Sequence, residues 1–217
     1  MNKYLRVLID GIKEFYRRDA DMLFNRKPSD ERAMVGCIYR YMWCEIARKG
    51  INCDIDIEYD RMRGRNGEFA RKSIDLAKDC GTDSCRRHCL LLIAEVGKRK
   101  TKKNELYSIR PDIILHKRNS IGKDNYLVVE FKKDPKNDPV CQADVDFDRA
   151  KIRWNTCEKS LLKYENGVFV RLSEADALIE QCENGDFKKI GVVNKVGFSC
   201  VNPRVCQLSS RCALLLC

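Results

Sequence analysis

Long apolar segments are missing from this 217-residue sequence. The longest candidate, CLLLIAEV at 89–96, is much shorter than the roughly 18–20 apolar residues that a membrane-spanning helix needs. The N-terminal stretch MNKYLRVLIDGIKEFYRR is charged throughout and lacks the apolar segment and small-residue cleavage site of a secretory signal. We therefore expect a cytoplasmic protein without a membrane partner.

Residues that carry catalysis in many hydrolases are also scarce. The sequence has two histidines, and it shows neither a glycine-rich phosphate-binding loop nor a Ser/His/Asp arrangement. This scarcity counts against histidine-based nuclease chemistry, P-loop chemistry and serine hydrolysis. Internal repeats and low-complexity segments are missing too, and a hydrophobic content of 44% is typical of an ordinary globular domain.

Basic residues, in contrast, are in excess. Forty-two Lys and Arg against 32 Asp and Glu give a formal net charge of +10, which favours a polyanionic partner, most often nucleic acid. The alternative is a set of solvated loops. The residues that we predict to contact a phosphate backbone lie in two basic segments: Arg61, Arg63, Arg65, Lys98, Arg99 and Lys100.

Thirteen cysteines are many for a chain of this size, and their odd number excludes complete pairing within one chain. Without an export signal, reduced thiols are the expectation. Two groups could instead hold a zinc ion or an iron–sulfur cluster, although neither has the usual spacing. These groups are Cys80, Cys85, His88 and Cys89, and, in the tail, Cys200, Cys206, Cys212 and Cys217.

Hydrophobic periodicity predicts the order of the elements before residue 105. Apolar residues at helical spacing indicate one helix over 3–17 and a second from Ser29 to Lys49, with Gly50 as its stop. Strict alternation predicts a strand over 51–60. A basic loop then leads into helices that we place at about 68–79 and 84–97.

The second half of the chain is predicted to build most of the sheet. SIRPDIILH (108–116) and NYLVVEFKK (125–133) indicate two antiparallel strands inside a sheet, because both are apolar on both faces. A long helix follows Asp138-Pro139, and its predicted packing stripe is Ala143, Phe147, Ala150, Trp154, Cys157 and Leu161. After it we expect a strand over 167–173, a short helix capped by Ser173 and a last strand over 188–193.

Three charged residues lie on the two neighbouring strands of the predicted hairpin. Glu130 and Lys132 must point to the same face, because side chains alternate along a strand, and the hairpin can set Asp112 beside Glu130. Two carboxylates among apolar residues repel each other and lose hydration unless a cation lies between them. Oxygen ligands suit Mg2+ or Mn2+, and a neighbouring ammonium can serve the attacking water or a phosphate. The residues therefore predict metal-assisted attack of water on a phosphodiester; the alternative is a surface ion pair.

Pro111-Asp112, followed across the hairpin by Glu130-Phe131-Lys132, resembles the signature of the PD-(D/E)XK nuclease superfamily. Over 29–172 the order of predicted elements is similar to the core of that superfamily: helix, three strands, helix and strand (αβββαβ). The resemblance implies an α/β restriction-endonuclease-like fold, a mixed sheet flanked by helices, here with an inserted basic helical segment at about 61–104.

The resemblance also implies roles for individual residues. Asp112 and Glu130 would hold Mg2+ or Mn2+, with the main-chain carbonyl of Phe131 completing the coordination. Lys132 would be the catalytic lysine. Many members add a glutamate from the preceding helix, and Glu31 fits that position, although an acid in a first helical turn also stabilises the helix by itself.

A subgroup of uncharacterised nuclease-like proteins suggests auxiliary residues. Glu58, in the segment Glu58-Tyr59-Asp60-Arg61, and His116 resemble positions in that subgroup. An acidic residue and a lysine near the start of the following helix are best matched by Asp148 and Lys151. The alternatives are a solvated strand face for Glu58 and a satisfied polar residue at a strand end for His116.

The combined prediction is a Mg2+-dependent endonuclease, with DNA as the expected substrate, in a single domain over 1–198 and a cysteine-containing tail over 199–217. A homodimer would let two sites cut both strands. The alternative function is a catalytically inactive nucleic-acid-binding module of the same fold. A third hypothesis is an interaction protein stabilised by zinc or by a cluster.

Overall fold

A computed structural model describes residues 1–25, 31–57, 61–63, 69–71, 73–75, 106–108, 110–118, 124–133, 141–157 and 162–200. The helices are α1 (Lys3–Arg18), α2 (Ala20–Asn25), α3 (Glu31–Arg48) and α4 (Cys141–Thr156). The strands are β1 (Asp54–Ile57), β2 (Arg61–Arg63), β3 (Phe69–Arg71), β4 (Ser73–Asp75), β5 (Leu106–Ser108), β6 (Ile113–His116), β7 (Asn125–Lys133), β8 (Gly167–Leu172), β9 (Asp176–Glu183), β10 (Asp186–Asn194) and β11 (Phe198–Cys200).

Seven strands form one mixed sheet in the order β1-β6-β7-β8-β9-β10-β11. Its neighbouring strands pair antiparallel except β7 and β8, which are parallel and are joined through α4. A parallel pair needs such a crossover, since its strands begin at the same edge of the sheet. The chain therefore has a mixed α/β fold.

Helices α1 and α3 cover one face of this sheet. The predicted stripe of α1 is confirmed, because its apolar residues are all buried: Leu5, Leu8, Ile9, Ile12, Phe15 and Tyr16. They pack in one core with residues of both helices and with alternate residues of the strands, such as Val129 and Phe131 of β7. The hydroxyl of Tyr16 also donates to the carbonyl oxygens of Ser173 (2.8 Å) and Asp176, which attaches α1 to the turn after β8.

The predicted end of α3 is confirmed. The helix ends at Arg48, and Gly50 follows with φ of +60°, a left-handed conformation that glycine adopts without the penalty of a Cβ. The amide of Ile51 returns to the carbonyl of Ile46 at 3.1 Å, which satisfies one of the terminal carbonyls.

Helix α4 packs on the opposite face of the sheet, but its buried stripe differs from the predicted one. Ala150 and Trp154 are buried as expected, whereas Phe147 is half-buried and the helix ends before Cys157. The remaining buried positions are Val145, Asp148, Ile152 and Asn155. The apolar pattern gave the wrong stripe because two polar residues face the sheet.

The hairpin of β6 and β7 is confirmed. Ile113 lies opposite Val129, and Ile114 opposite Val128, in the middle of the seven-stranded sheet. Both strands are buried on both faces at their centres. β7 continues past the start of β6 and pairs with β8 as far as Lys133, so its last residues have a strand neighbour on one side within the described sheet.

The short helix predicted after Ser173 is wrong. Residues 176–183 form β9, which pairs with β8 and β10. The Ser173 hydroxyl does accept a hydrogen bond from the Asp176 amide (3.0 Å), as in a helix cap. The chain nevertheless continues as a strand and not as a helix. β9 ends just before Asn184 and Gly185, which have positive φ values of 53° and 87° and form the tight hairpin turn to β10.

The helix predicted at 68–79 is also wrong where the chain is described. Residues 69–71 form β3, paired with β2 from the predicted basic loop, and residues 73–75 form β4, paired with β5. β3 pairs with a neighbouring segment and β4 with one about 30 residues away, and the periodicity of a single segment shows neither pairing. The helix predicted at 84–97 lies outside the described residues.

Several other predictions concern residues at or beyond the ends of the described ranges. β11 extends the sheet to Cys200, past the boundary predicted at 198, and residues 201–217 lie outside the described ranges. The first cysteine group, 80–89, is outside them too. Of the helices within these ranges, none has both the length and the hydropathy of a membrane span. No disulfide joins the described thiols of Cys37, Cys44, Cys53, Cys157 and Cys182.

Two helical glycines allow a matched test of the α1–α3 contact. A Cβ on Gly11 would lie 2.6 Å from Cγ of Met42, whereas a Cβ on Gly36 would have no atom within 4 Å. We expect Gly36→Ala to raise the free energy of unfolding by about 0.5–1 kcal/mol. Gly11→Ala should lower it by about 1 kcal/mol, because overpacking exceeds the same helical gain. Urea denaturation of both variants measures the difference, and equal shifts would contradict the close packing.

Candidate functional site

The strand register places Asp112 and Glu130 on one face of the sheet. Ile114 and Val128 are paired, and both are buried in the same cluster on the side away from α1 and α3. Asp112 is two residues before Ile114, and Glu130 is two residues after Val128, so both point to that face as well. Asp112 Oδ2 accepts a hydrogen bond of 2.7 Å from the amide of Phe131. The two predicted carboxylates therefore lie together, where β6 begins and β7 continues past it.

Glu130 is the most deeply buried of these charged groups. The residue is 1% exposed, and it lies on β7 one position past the last residue that pairs with β6, opposite Phe169 of β8. Its Oε2 contacts Nζ of Lys151 at 2.8 Å. No described residue forms a hydrogen bond with its other oxygen, Oε1. Burial raises the pKa of Glu130 well above its usual range, and the nearby carboxylate of Asp112 adds to this effect, although Lys151 opposes it.

Lys132 of β7 and two residues of α4, Asp148 and Lys151, complete the cluster. Nζ of Lys151 lies 2.8 Å from Oε2 of Glu130 and 2.8 Å from Oδ1 of Asp148. The second oxygen of Asp148 lies 3.3 Å from Nζ of Lys132. Lys151 and Asp148 are three residues apart on α4, so both side chains are on the same helical face. The carboxylate of Asp148 is thus shared between two ammonium groups.

In the cluster, burial determines the direction of the pKa shift of Asp112, whereas neighbouring carboxylates determine that of the two lysines. Burial raises the pKa of Asp112 to about 6, against the opposing hydrogen bond from the Phe131 amide. Burial by itself would lower the pKa of Lys132, but the carboxylates of Asp148 and Glu31 raise it above its usual value. Burial would likewise lower the pKa of Lys151, and Glu130 and Asp148 raise it instead. Both lysines are therefore cationic at neutral pH.

Glu31 reaches the same end of β7 from the other face of the sheet. It is the first residue of α3, and its Oε2 accepts a hydrogen bond of 2.8 Å from the amide of Lys133. Glu31 is thus a first-turn acid that also binds the end of β7, and its role as a metal ligand stays a prediction. Glu45, the other acid on α3, pairs with Arg48 and Lys49 near the opposite end of the helix.

The donor set fits Mg2+ or Mn2+ better than zinc. Mg2+ is commonly held by one or two carboxylates and several waters, and Glu130 Oε1 is a buried carboxylate oxygen with no protein partner in the described chain. The main-chain carbonyl of Phe131 is the further oxygen that the sequence suggests. Within the described ranges, no group of three or more His, Cys, Asp or Glu side chains is placed so that it could hold a metal ion, so the candidate protein ligands are two carboxylates. A closed zinc cage is therefore not the arrangement at these residues.

His116 lies away from this cluster. It is at the other end of β6 from Asp112, about 13 Å along the strand at roughly 3.3 Å per residue. Its Nε2 is 2.7 Å from Oδ2 of Asp56, and Arg118 binds the same carboxylate. Burial of Asp56 opposes ionisation, but His116 and Arg118 together lower its pKa. The structure thus places His116 in a polar contact between β1 and β6.

The other predicted residues belong to parts of the chain that are described incompletely. Arg61 and Arg63 lie on β2, and their side chains are not described. Glu58 and Arg65 lie outside the described residues, as do the three basic residues at 98–100. Their proposed contacts with nucleic acid stay predictions.

Sequence reasoning underestimated Asp148. Asp148 and Lys151 are about two turns into α4, rather than near its start, and they form the largest part of the contact between this helix and the cluster. The available signal was their spacing of three residues, which pairs opposite charges on one helical face. That signal cannot show which face meets the sheet.

Comparison of the chain with protein-family models, with curated proteins and with solved structures finds no match. The case for function therefore depends on the geometry of the cluster itself.

The raised pKa of Asp112 leads to a stability prediction in metal-free buffer. The folded chain binds this proton more tightly than the unfolded chain, so the carboxylate costs stability above pH 6, and the cost disappears as pH falls towards 4. We expect Asp112→Asn, which keeps an acceptor for the Phe131 amide, to raise the free energy of unfolding at pH 7 by up to about 3 kcal/mol. Urea titrations in EDTA at pH 7 and pH 4 measure this.

The control for this experiment is Asp21→Asn. The Asp21 side chain is 70% exposed and pairs with Lys195 on the surface, so its loss should change stability by less than about 0.5 kcal/mol at either pH. A lower stability of Asp112→Asn than of the unsubstituted chain at pH 7 would show that burial does not dominate at Asp112.

Proposed function

We propose that this chain is a metal-dependent nuclease of the PD-(D/E)XK type, and that it hydrolyses phosphodiester bonds in DNA. If β2–β5 are taken as an insertion between β1 and β6, the remaining order α3, β1, β6, β7, α4, β8 is in keeping with the core expected of that superfamily. The chemical support is independent of that order. It comes from a cluster of four carboxylates and two lysines at the end of a central strand pair.

One observation carries the proposal. Glu130 is buried in the middle of the sheet with one oxygen on Lys151 and the other without a partner among the described residues. A buried carboxylate oxygen without a hydrogen bond costs about 1–3 kcal/mol or more, and a bound cation would remove that cost. Asp112, which directly precedes the neighbouring strand β6, points to the same face of the sheet, so the two carboxylates would share one ion.

Within this proposal the residues divide the work by position. Asp112 and Glu130 would hold the ion, with the Phe131 carbonyl beside them, and Glu31 would fix the end of β7 through the Lys133 amide. Mg2+, when bound, would lower the pKa of a bound water and polarise the phosphate. The Phe131 amide already orients Asp112, so the strand ends need not rearrange to bring the two acids together.

Lys132 is best suited to stabilising negative charge. Its pKa is raised by Asp148 and Glu31, so the amine stays protonated at neutral pH and would not accept a proton from water. A fixed ammonium next to the phosphate would instead stabilise the charge that develops on it during attack. Asp148 positions this ammonium from α4 at 3.3 Å.

The test is nicking of supercoiled plasmid DNA in the presence of Mg2+. We expect the unsubstituted chain to nick and relax the plasmid, and Asp112→Ala and Lys132→Ala to reduce the rate by at least about 10²-fold, as losses of transition-state stabilisation commonly do. Addition of EDTA should stop the reaction. Gel quantification of nicked product against time gives the rates.

Lys188→Ala serves as the matched control. Lys188 pairs with Glu183 on the exposed β9–β10 hairpin, so its loss removes one positive charge without touching the cluster, and the rate should stay within about twofold. Equal cleavage by all four chains would reject the assignment. Salt-dependent DNA binding without Mg2+-dependent cleavage would favour the alternative, a binding module that retains the fold without the chemistry.

A further inference from the structure

We infer that Lys151 occupies the place of a second metal ion, so that the site binds one divalent cation per chain and not two. This inference rests on the proposed function, because it concerns how many ions the nuclease site takes. It follows from the contacts that Lys151 makes with Glu130 of the signature and with Asp148 of α4, which the signature itself does not specify.

Lys151 lies in the space between Glu130 and Asp148 that a second ion would need. Nζ of Lys151 lies 2.8 Å from one oxygen of Glu130 and 2.8 Å from one oxygen of Asp148, so the ammonium bridges two carboxylates. A divalent ion that bridged the same two oxygens would need the same space, at about 2.0–2.1 Å from each for Mg2+. Lys151 and a second ion therefore exclude each other.

The unused carboxylate oxygens also favour a single ion. Oε1 of Glu130 has no hydrogen-bond partner in the described part of the chain, and it is buried. Asp112 lies on the same face and uses Oδ2 for the Phe131 amide. In contrast, both oxygens of Asp148 are taken by ammonium groups. Donor capacity for an ion thus remains between Asp112 and Glu130 and not beside Asp148.

The formal charges of the four carboxylates and two lysines also favour a single divalent ion. When ionised, Glu31, Asp112, Glu130 and Asp148 carry four negative charges, and Lys132 and Lys151 carry two positive charges. Two negative charges remain, which one divalent cation neutralises. A second divalent cation would leave an excess of two positive charges in a half-buried cluster, which is costly at low dielectric.

The consequence is a site with one permanent and one exchangeable cation. Lys151 is attached to α4, and its ion pair with Asp148 lies within that helix at a spacing of three residues. The ammonium therefore stays in place whatever the metal concentration. Removal of its charge should open a second metal site between Glu130 and Asp148.

The test counts Mn2+ ions bound to the full chain without nucleic acid. Free Mn2+ is measured from its electron paramagnetic resonance signal, and isothermal titration calorimetry gives an independent stoichiometry. We expect one Mn2+ per chain for the unsubstituted protein and two for Lys151→Met, which keeps the length of the side chain but not its charge. The double variant Lys151→Met/Asp148→Asn should return to one, because the second ion loses a ligand.

Two further variants make the result specific. Lys188→Met removes an exposed lysine that pairs with Glu183, and it should still bind one Mn2+. Asp148→Asn alone should also bind one, since Asp148 holds ammonium groups and not the ion. In Lys151→Met the buried carboxylate of Glu130 loses its cationic partner, which destabilises the fold, so thermal unfolding is recorded first. If that variant is unfolded, the numbers of Mn2+ ions bound by the unsubstituted chain and by Asp148→Asn test the inference.

The outcomes separate this inference from the proposed function. One ion in the unsubstituted chain and in Asp148→Asn, with two in folded Lys151→Met, supports the inference. Two ions in the unsubstituted chain, loss of binding in Asp148→Asn, or a single ion in folded Lys151→Met would overturn it and leave a metal-dependent site in place. No bound Mn2+ in the unsubstituted chain would contradict the proposed function itself.

Discussion

The contact between Glu130 and Lys151 is the constraint on which the rest of the structure depends. A carboxylate that is 1% exposed requires a cationic partner, because an unpaired buried charge costs several kcal/mol. That partner comes from α4, so the helix must dock on β7 and β8 in one rotational position. Arg149 of the same helix then reaches Glu180 of β9, and its guanidinium lies over the rings of Phe169 and Phe187. The packing of this face and the geometry of the candidate site are thus set together.

This dependence explains which parts of the fold could be predicted from the sequence. Helix α1 was predicted correctly because its apolar residues repeat at the helical period and face one core. The β6–β7 hairpin was predicted correctly because both strands are apolar on both faces, and a core covers each face. For α4 the helix was expected but its stripe was not, because Asp148 and Asn155 face inward. A prediction that assigns every polar residue to solvent gives the wrong rotation of a helix about its axis wherever that helix carries part of a buried polar site.

Errors in strand prediction have another origin, which is pairing with another segment of the chain that the periodicity of a single segment does not show. β9 begins after a serine that binds its backbone as a helix cap would, and local reasoning stopped at that resemblance. The stronger signal was Asn184-Gly185, a dipeptide that favours a tight hairpin and so predicts strands on both sides. A comparable signal, Asn66-Gly67, lies between β2 and β3, but the basic composition of 61–72 favoured a loop there. β4 has no such signal, because its partner β5 lies about 30 residues further along the chain.

For the candidate site, strand alternation was sufficient to bring Asp112, Glu130 and Lys132 together, and it could not supply Lys151, whose contact requires a docked helix. The energetics of this arrangement are themselves an argument for function. Replacement of a buried ion pair by apolar residues of similar size is commonly neutral or stabilising, by as much as about 1–4 kcal/mol. A chain that needed only to fold could carry apolar residues at 130 and 151, since both positions adjoin an apolar core. Instead it buries carboxylates beside one another and raises the pKa of Asp112 to about 6, at a cost in stability that a bound cation would reverse. Carboxylates kept in the sheet at a cost in folding energy support the proposal that this site binds a cation.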